Sequence, residues 1–132
     1  MKGTVLYRGE NENTLADAPN GRWWSVDPVY ASEYLGDDRD LLEREFDFDR
    51  VCDLRECLSD DGSVSVDAFN DFLTANGVEI PENLSDGGAD LIDSFVIQEF
   101  LDWDGAAFSR AGFEAVIHAE HGNLEEPAVL IF

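Results

Sequence analysis

Lysine is all but missing from the sequence: Lys2 is the only one in 132 residues, and seven arginines bring the cations to 8 against 30 aspartates and glutamates. The formal net charge is −22. A chain so poor in cations has little with which to neutralise a phosphate backbone, so direct nucleic-acid binding driven by counterion release is excluded, as is docking on an anionic membrane. The shortage is uneven, because no Lys or Arg falls between Glu56 and Ser109, a stretch that holds thirteen carboxylates. Long apolar runs are missing too, and none approaches the roughly 18 residues of a membrane span. Residues 1–8 lack the apolar core of a signal peptide, so a cytoplasmic protein is expected. Cysteine is scarce. Cys52 and Cys57 provide no disulfide framework and are expected to be reduced core residues.

What the chain does have is apolar and aromatic: 44% hydrophobic residues, with nine Phe, three Tyr and three Trp. That is more than a disordered acidic tail contains, and the length suits one domain over residues 1–132. Two explanations compete for the acidity. Salt in the surroundings screens surface repulsion and tolerates such a composition. Alternatively, one acidic face imitates a nucleic-acid backbone and occupies a basic groove on a partner, which makes the protein a non-enzymatic inhibitor.

Hydrophobic periodicity places a strand over Thr4–Arg8, a turn-rich loop over 9–21, and a second strand at Arg22–Ser25. Asp27-Pro28 then provides an N-cap and an N1 proline for a helix whose inner side carries Val29, Ala31, Tyr34 and Leu35. Alternation over Leu41–Asp49 predicts a half-exposed strand with Leu42, Phe46 and Phe48 inward, its apolar face broken only by Arg44. Val66, Phe69, Phe72 and Leu73 have helical spacing, and Asn76-Gly77 ends that helix. A longer helix is predicted from about Ser85 to Trp103, with Ile92, Val96, Phe100 and Trp103 on one stripe. A short helix over Ala106–Ala111 and closing strands at Phe113–His118 and Ala128–Phe132 complete an α+β reading.

Two metal motifs fail on register. Asp60-Asp61-Gly62 looks like the centre of a calcium loop, but with Gly62 sixth the first position is Cys57 and the twelfth is Ala68, so the bidentate carboxylate is missing. His118 and His121 are three apart near a strand end, without the helical spacing of a zinc site. No metal is expected.

The strongest constellation is Tyr7-Arg8-Gly9 at a strand end, then Arg22-Trp23-Trp24-Ser25 running into the helix with Ala31 and Tyr34, then the late Ala111–Ile117 segment. Together with a middle strand from Glu43 to Leu54, this order resembles the ADP-ribosyltransferase-like fold, in particular small phage and bacterial mono-ADP-ribosyltransferases, anti-CRISPR members included. The resemblance covers nearly the whole chain. It implies a split, mostly antiparallel β-core, here with an acidic helical insert over about 60–104. It also implies NAD as substrate and transfer of ADP-ribose to a macromolecular target, a protein with a basic or nucleic-acid-binding surface, by an effector that inactivates a host defence protein.

Carried over residue by residue, the resemblance has Arg8 hold a phosphate or ribose and Gly9 approach the carboxamide through its backbone. Ser25 braces the site, with Trp24 beside it, and Tyr34 stacks on nicotinamide. The catalytic carboxylate is Glu126, which opens the last strand, or Glu120, which ends the strand before it. Arginine-modifying relatives carry Glu or Gln two residues before the catalytic Glu, where this chain has Leu124 before Glu126, so the acceptor residue stays open. The chemistry wants the same residue types: a carboxylate for the positive charge that develops on the sugar, and a fixed guanidinium for the pyrophosphate. Arg8, helped by Arg22 or Arg110, would have to create a positive pocket in a protein of −22. The competing role for Arg8 is a strand-end ion pair with one of the many carboxylates.

Overall fold

Strand β1 (Val5–Arg8) is followed by β2 (Arg22–Ser25), where the chain turns into helix α1 (Pro28–Ser32). The turn is built as expected: Asp27 accepts the Val29 N–H at its side chain and Pro28 opens the helix. The computed structural model describes residues 2–11, 20–36, 39–79, 90–119, 122 and 124–132. Glu120, His121 and the loop residues 12–19 lie outside that set.

The predicted strand over 41–49 shortens to β3 (Leu42–Glu45), all four residues of which are exposed. The reason is position. β3 pairs only with β1, at the edge of the sheet, and Leu42 stays 40% exposed, whereas Phe46 leaves the strand and is buried. Arg44 occupies the apolar side because its guanidinium stacks over Trp24 at 5.4 Å and Phe48 at 5.2 Å. The expected middle strand from Glu43 to Leu54 is really two strands on opposite edges of the sheet, β3 and β4 (Val51–Asp53). Glu114 holds the connection between them, accepting the N–H groups of Asp49 and Arg50 at 2.8 and 3.2 Å.

After a 3₁₀ turn at Leu54–Glu56 come β5 (Val64–Ser65) and α2 (Val66–Ala75), with Ser65 as N-cap. The long helix predicted from Ser85 is corrected where it is described. Leu91–Ile92 form β6, paired with β5, and α3 spans only Ser94–Asp104. Asp93 causes the break, since its side chain accepts the N–H groups of Phe95 and Val96 and starts the helix there. The buried stripe shifts accordingly to Ser94, Ile97, Phe100 and Leu101, leaving Val96 exposed and Trp103 75% exposed. The insert over 60–104 is therefore mixed, with a two-stranded sheet whose strands each lead into a helix. Helix α4 (Ala106–Arg110) follows directly through Gly105, and β7 (Ala115–His118) and β8 (Ala128–Ile131) close the chain.

The result is a mixed α+β fold with four helices among the described residues and one six-stranded sheet in the order β3-β1-β2-β8-β7-β4, antiparallel except for β4 with β7. The adjacent interior strands β7 and β8 are buried throughout, because apolar side chains cover both faces. On one face Leu130 and Val116 meet Phe69, Leu73, Ile97, Phe100 and Phe108 of the helices. On the other, Val129, Ile131, Ala115 and Ile117 meet Leu6 and Phe46 in a smaller cluster. Gly62, the glycine of the calcium-like motif, has φ +81°, and a Cβ there would lie 2.6 Å from the Gly122 Cα, so its place is explained by close packing of two loops. Among the described residues no helix is long and apolar enough to cross a membrane.

Candidate functional site

The sheet is weakest between β1 and β2. Four residue pairs join β1 to β3 and four join β2 to β8, but β1 and β2 meet at the single pair Tyr7↔Ser25. Beyond that pair the strands part, and Arg8 fills the gap: its Nη1 donates to the Trp23 carbonyl at 2.8 Å, replacing the ladder by a side-chain bridge. A cleft of about 340 Å³ opens there. Tyr7, Arg8 and Gly9 line it from β1; Arg22, Trp23, Trp24 and Ser25 from β2; Tyr30, Ala31 and Tyr34 from α1 and the turn after it; Gln98 and Asp102 from α3.

Five residues singled out in the sequence thus converge on one cavity: Arg8, Gly9, Trp24, Ser25 and Tyr34. Each also has a structural task. Arg8 is buried at 8% exposure, and its Nε donates to Glu10 Oε1 at 3.1 Å, the ion pair that was its competing role. The same carboxylate oxygen accepts from Arg22 Nη1 at 3.3 Å, so one anion is shared by two guanidiniums. Gly9 lets α1 sit against the end of β1, since a Cβ there would be 2.1 Å from the Ala31 carbonyl oxygen. The Ser25 Oγ accepts the Asp27 N–H and closes the strand-to-helix turn. Tyr34 is 44% exposed and stands edge-on to Tyr30 at 5.5 Å, with the two hydroxyls 2.9 Å apart.

Of the proposed catalytic glutamates, Glu126 is not among the cleft's described lining residues. Glu126 is exposed on the segment before β8, at the end of the sheet where Ser25 pairs with Ala128; Glu120 lies outside the described residues. The carboxylate that does line the cleft is Asp102, whose Oδ1 accepts the Trp23 indole N–H at 2.9 Å. Gln98, one turn earlier on α3, lines the same wall, and its Oε1 is buried with no hydrogen-bond partner among the described residues. Sequence reasoning missed both. Their signal was an i, i+4 pair of polar residues on a helix that is otherwise apolar on that side. Arg110 is exposed on α4 and is not part of the lining.

The remaining titratable candidates do not join this site. Cys52 and Cys57 are free thiols; burial pushes the first up to about 12 and the second to about 11, which leaves both protonated and poorly nucleophilic at neutral pH. His118 is fully buried behind the cleft, its ring 6.0 Å from that of Trp23. Among the described residues no group of three or more potential ligands is placed to hold a metal ion. Exposed carboxylates are found on every part of the described chain: Glu43, Glu45 and Asp47 at the β3 edge, Asp60, Asp67, Asp71, Asp90 and Asp93 in the insert, Glu114 and Glu125 near the end. Compared with protein-family models, with curated proteins and with solved structures, the chain matches none.

Proposed function

We propose that the protein binds NAD in the cleft between β1, β2 and α1 and transfers its ADP-ribosyl group to a macromolecular acceptor. The observation that carries this reading is the convergence of Arg8, Gly9, Trp24, Ser25 and Tyr34 on one cavity at the point where the sheet is nearly parted. Such a parting is what an ADP-ribosyltransferase-like split core requires. A cleft of about 340 Å³ is at the small end of ligand pockets and suits the nicotinamide-ribose half of the dinucleotide. Arg8 and Arg22 provide the donors for the pyrophosphate, Tyr30 and Tyr34 the aromatic wall for nicotinamide, and Ser25 the rigid turn between them.

In the reaction the bond from ribose C1′ to the pyridine nitrogen breaks, and its electron pair leaves with neutral nicotinamide. The acceptor's nucleophilic atom then bonds to C1′ and releases its proton. Positive charge builds on the sugar meanwhile, and a carboxylate stabilises it. Glu126 and Glu120 remain the proposed carboxylates from the strand ends. A net charge of −22 favours acceptors with basic surfaces, through complementary potentials that speed encounter. No observation favours the inhibitor reading, whose mimicry needs one continuous acidic face, since the exposed carboxylates are not confined to the insert.

The test is release of nicotinamide together with covalent transfer of label from adenine-labelled NAD to proteins of a bacterial lysate, comparing the wild type with Glu126→Gln and Glu120→Gln. Loss of the carboxylate that meets the sugar is expected to lower the rate by two or more orders of magnitude, about the cost of removing one electrostatic stabiliser. Absence of both NAD binding and nicotinamide release would remove the enzyme reading.

A further inference from the structure

Four of the eight large apolar side chains exposed among the described residues fall within one short segment: Leu91, Phe95, Val96 and Trp103. The last three are on α3. Ser94, Ile97, Phe100 and Leu101 take the buried side of that helix, so Phe95, Glu99 and Trp103, spaced four residues apart, share an exposed row with Val96 beside it. The charges around this row are all of one sign. Glu99 stands within it, Asp102 borders it, Asp93 caps the helix at its start, and α3 carries no Lys or Arg. Asp102 follows Phe95 by about two helical turns and so lies near it around the helix axis. It also lines the cleft, so the apolar row runs along the cleft's α3 border. An exposed apolar patch with a polar rim marks an interaction surface, and tryptophan is the side chain most often found to anchor one. A second copy fits poorly, because its own Glu99 and Asp102 would meet these at close range and each molecule carries −22. From this charge pattern we infer that the exposed row of α3 docks a cationic amphipathic helix of a partner protein. The partner's apolar stripe covers Phe95, Val96 and Trp103, and its Lys and Arg side chains face Glu99 and Asp102. The inference goes beyond the chemistry of the cleft and does not depend on it, so its test contains no NAD.

The probe is a dye-labelled helical peptide with a leucine stripe on one side and Lys and Arg on the other, followed by fluorescence anisotropy and stopped flow. Two control peptides replace its leucines by serine or its cations by glutamate, and the full-length protein is expected to bind both far more weakly. Trp103→Ser and Val96→Ser should each weaken the first peptide about tenfold or more through faster dissociation, as loss of an apolar anchor does. Both side chains are exposed, and Trp103→Ser keeps the carbonyl that Asn20 binds, so an unchanged Tm confirms that the fold is intact. Glu99→Gln should instead slow association and flatten its salt dependence. Glu43→Gln, on the far edge strand β3, removes the same charge and should change neither rate by more than about twofold, since salt screens distant charges. Equal effects of Glu43→Gln and Glu99→Gln, with none from Trp103→Ser, would overturn the docking surface and leave only attraction to net charge. A dimer in sedimentation that Trp103→Ser dissociates would overturn it in favour of a second copy. Binding to phosphatidylcholine vesicles without binding to the peptide would overturn it in favour of a lipid surface. Failure of the wild type to bind the cationic peptide at low salt would overturn it outright.

Discussion

Arg8→Ala is the substitution whose consequences the structure defines most fully, because this side chain both faces the cleft and holds its walls together. It removes a donor to the Trp23 carbonyl at 2.8 Å and a charged donor to Glu10 at 3.1 Å, from a residue only 8% exposed. Hydrogen bonds that involve a charged group contribute about 1.5–3 kcal/mol each, and those whose loss strands a buried partner lie toward the top of that range. Two offsets apply. The cleft is open, so water can reach the carbonyl, and Arg22 still serves Glu10. A net loss of about 2–4 kcal/mol follows, a sizeable part of the roughly 5–15 kcal/mol that holds a domain folded. Urea denaturation at constant m measures it. In a double-mutant cycle, Arg8→Ala and Glu10→Gln are expected to couple by about 1 kcal/mol or more, as contacting charged groups do. A stability loss under 0.5 kcal/mol with no coupling would refute the account of Arg8 as the strut between β1 and β2. The same arithmetic warns that lost activity in Arg8→Ala has two causes. Arg8→Lys, which keeps the charge but reaches only one of the two acceptors, separates them through KM against Tm.

Four other expectations follow from single contacts. Asn20→Ala loses donors to the Asp102 and Trp103 carbonyls and the acceptor for Ala106 N–H, which join α3 to α4, and should cost about 1–2 kcal/mol by thermal denaturation; no change in Tm would show that water replaces these bonds fully. Gly9→Ala forces α1 away from β1 and should destabilise by more than about 2 kcal/mol, with weaker ligand binding, whereas Gly77→Ala, which meets only a backbone penalty at φ +76° and open space, should cost less. Because burial raises the Cys52 thiol to about 12, its contribution is complete below the unfolded value near 9 and is lost as pH rises toward 12; stability should fall there by up to about 1.4 kcal/mol per pH unit more than in Cys52→Ala, and equal slopes would be the contrary result. Repulsion among thirty carboxylates should make stability rise with sodium chloride from 10 mM to 1 M, and a flat or falling Tm would show that surface charge does not govern it.

Local signals in the sequence were legible where one or two residues decide the outcome. Asp27-Pro28 starts α1 and Asn76-Gly77 stops α2, each through a bond made within four residues. The errors came where tertiary placement decides. Alternation of side chains does not say whether a strand is central or at an edge, so Leu42–Glu45 and Val51–Asp53 were read as parts of one strand although the sheet puts them at opposite ends. Asp93 reset the helix by capping it, which moved the buried stripe from Val96 and Trp103 to Ile97 and Leu101. The cleft followed the same division. Its β1, β2 and α1 walls come from the N-terminal third and were visible as a motif, whereas the α3 wall arrives through contacts such as Trp23 to Asp102, 79 residues apart, which no local pattern announces.

The near-absence of lysine becomes intelligible once the described cations that have partners are followed to them. Arg44 stacks its plane between Trp24 and Phe48, and Arg50 lies over Phe113 at 5.4 Å. Arg55 grips Asp53 with two parallel bonds, Nε to Oδ1 at 2.9 Å and Nη2 to Oδ2 at 2.7 Å, and sends a third to the Leu124 carbonyl. Arg8 spans a carbonyl and a carboxylate at once. Every one of these uses the flat, forked or stacking geometry of guanidinium, which an ammonium group does not have. The single lysine makes a simple surface pair, with Asp49. In a protein whose surface carries so much negative charge, isolated surface cations would add little, since exposed pairs contribute between nothing and about 1 kcal/mol. The cations are concentrated instead where shape matters, and the two that line the cleft, Arg8 and Arg22, share Glu10 between them. That shared carboxylate holds two guanidiniums side by side, with the Asp102 carboxylate in the same cleft, so shape and hydrogen-bond geometry rather than surplus positive charge set the chemistry of its walls.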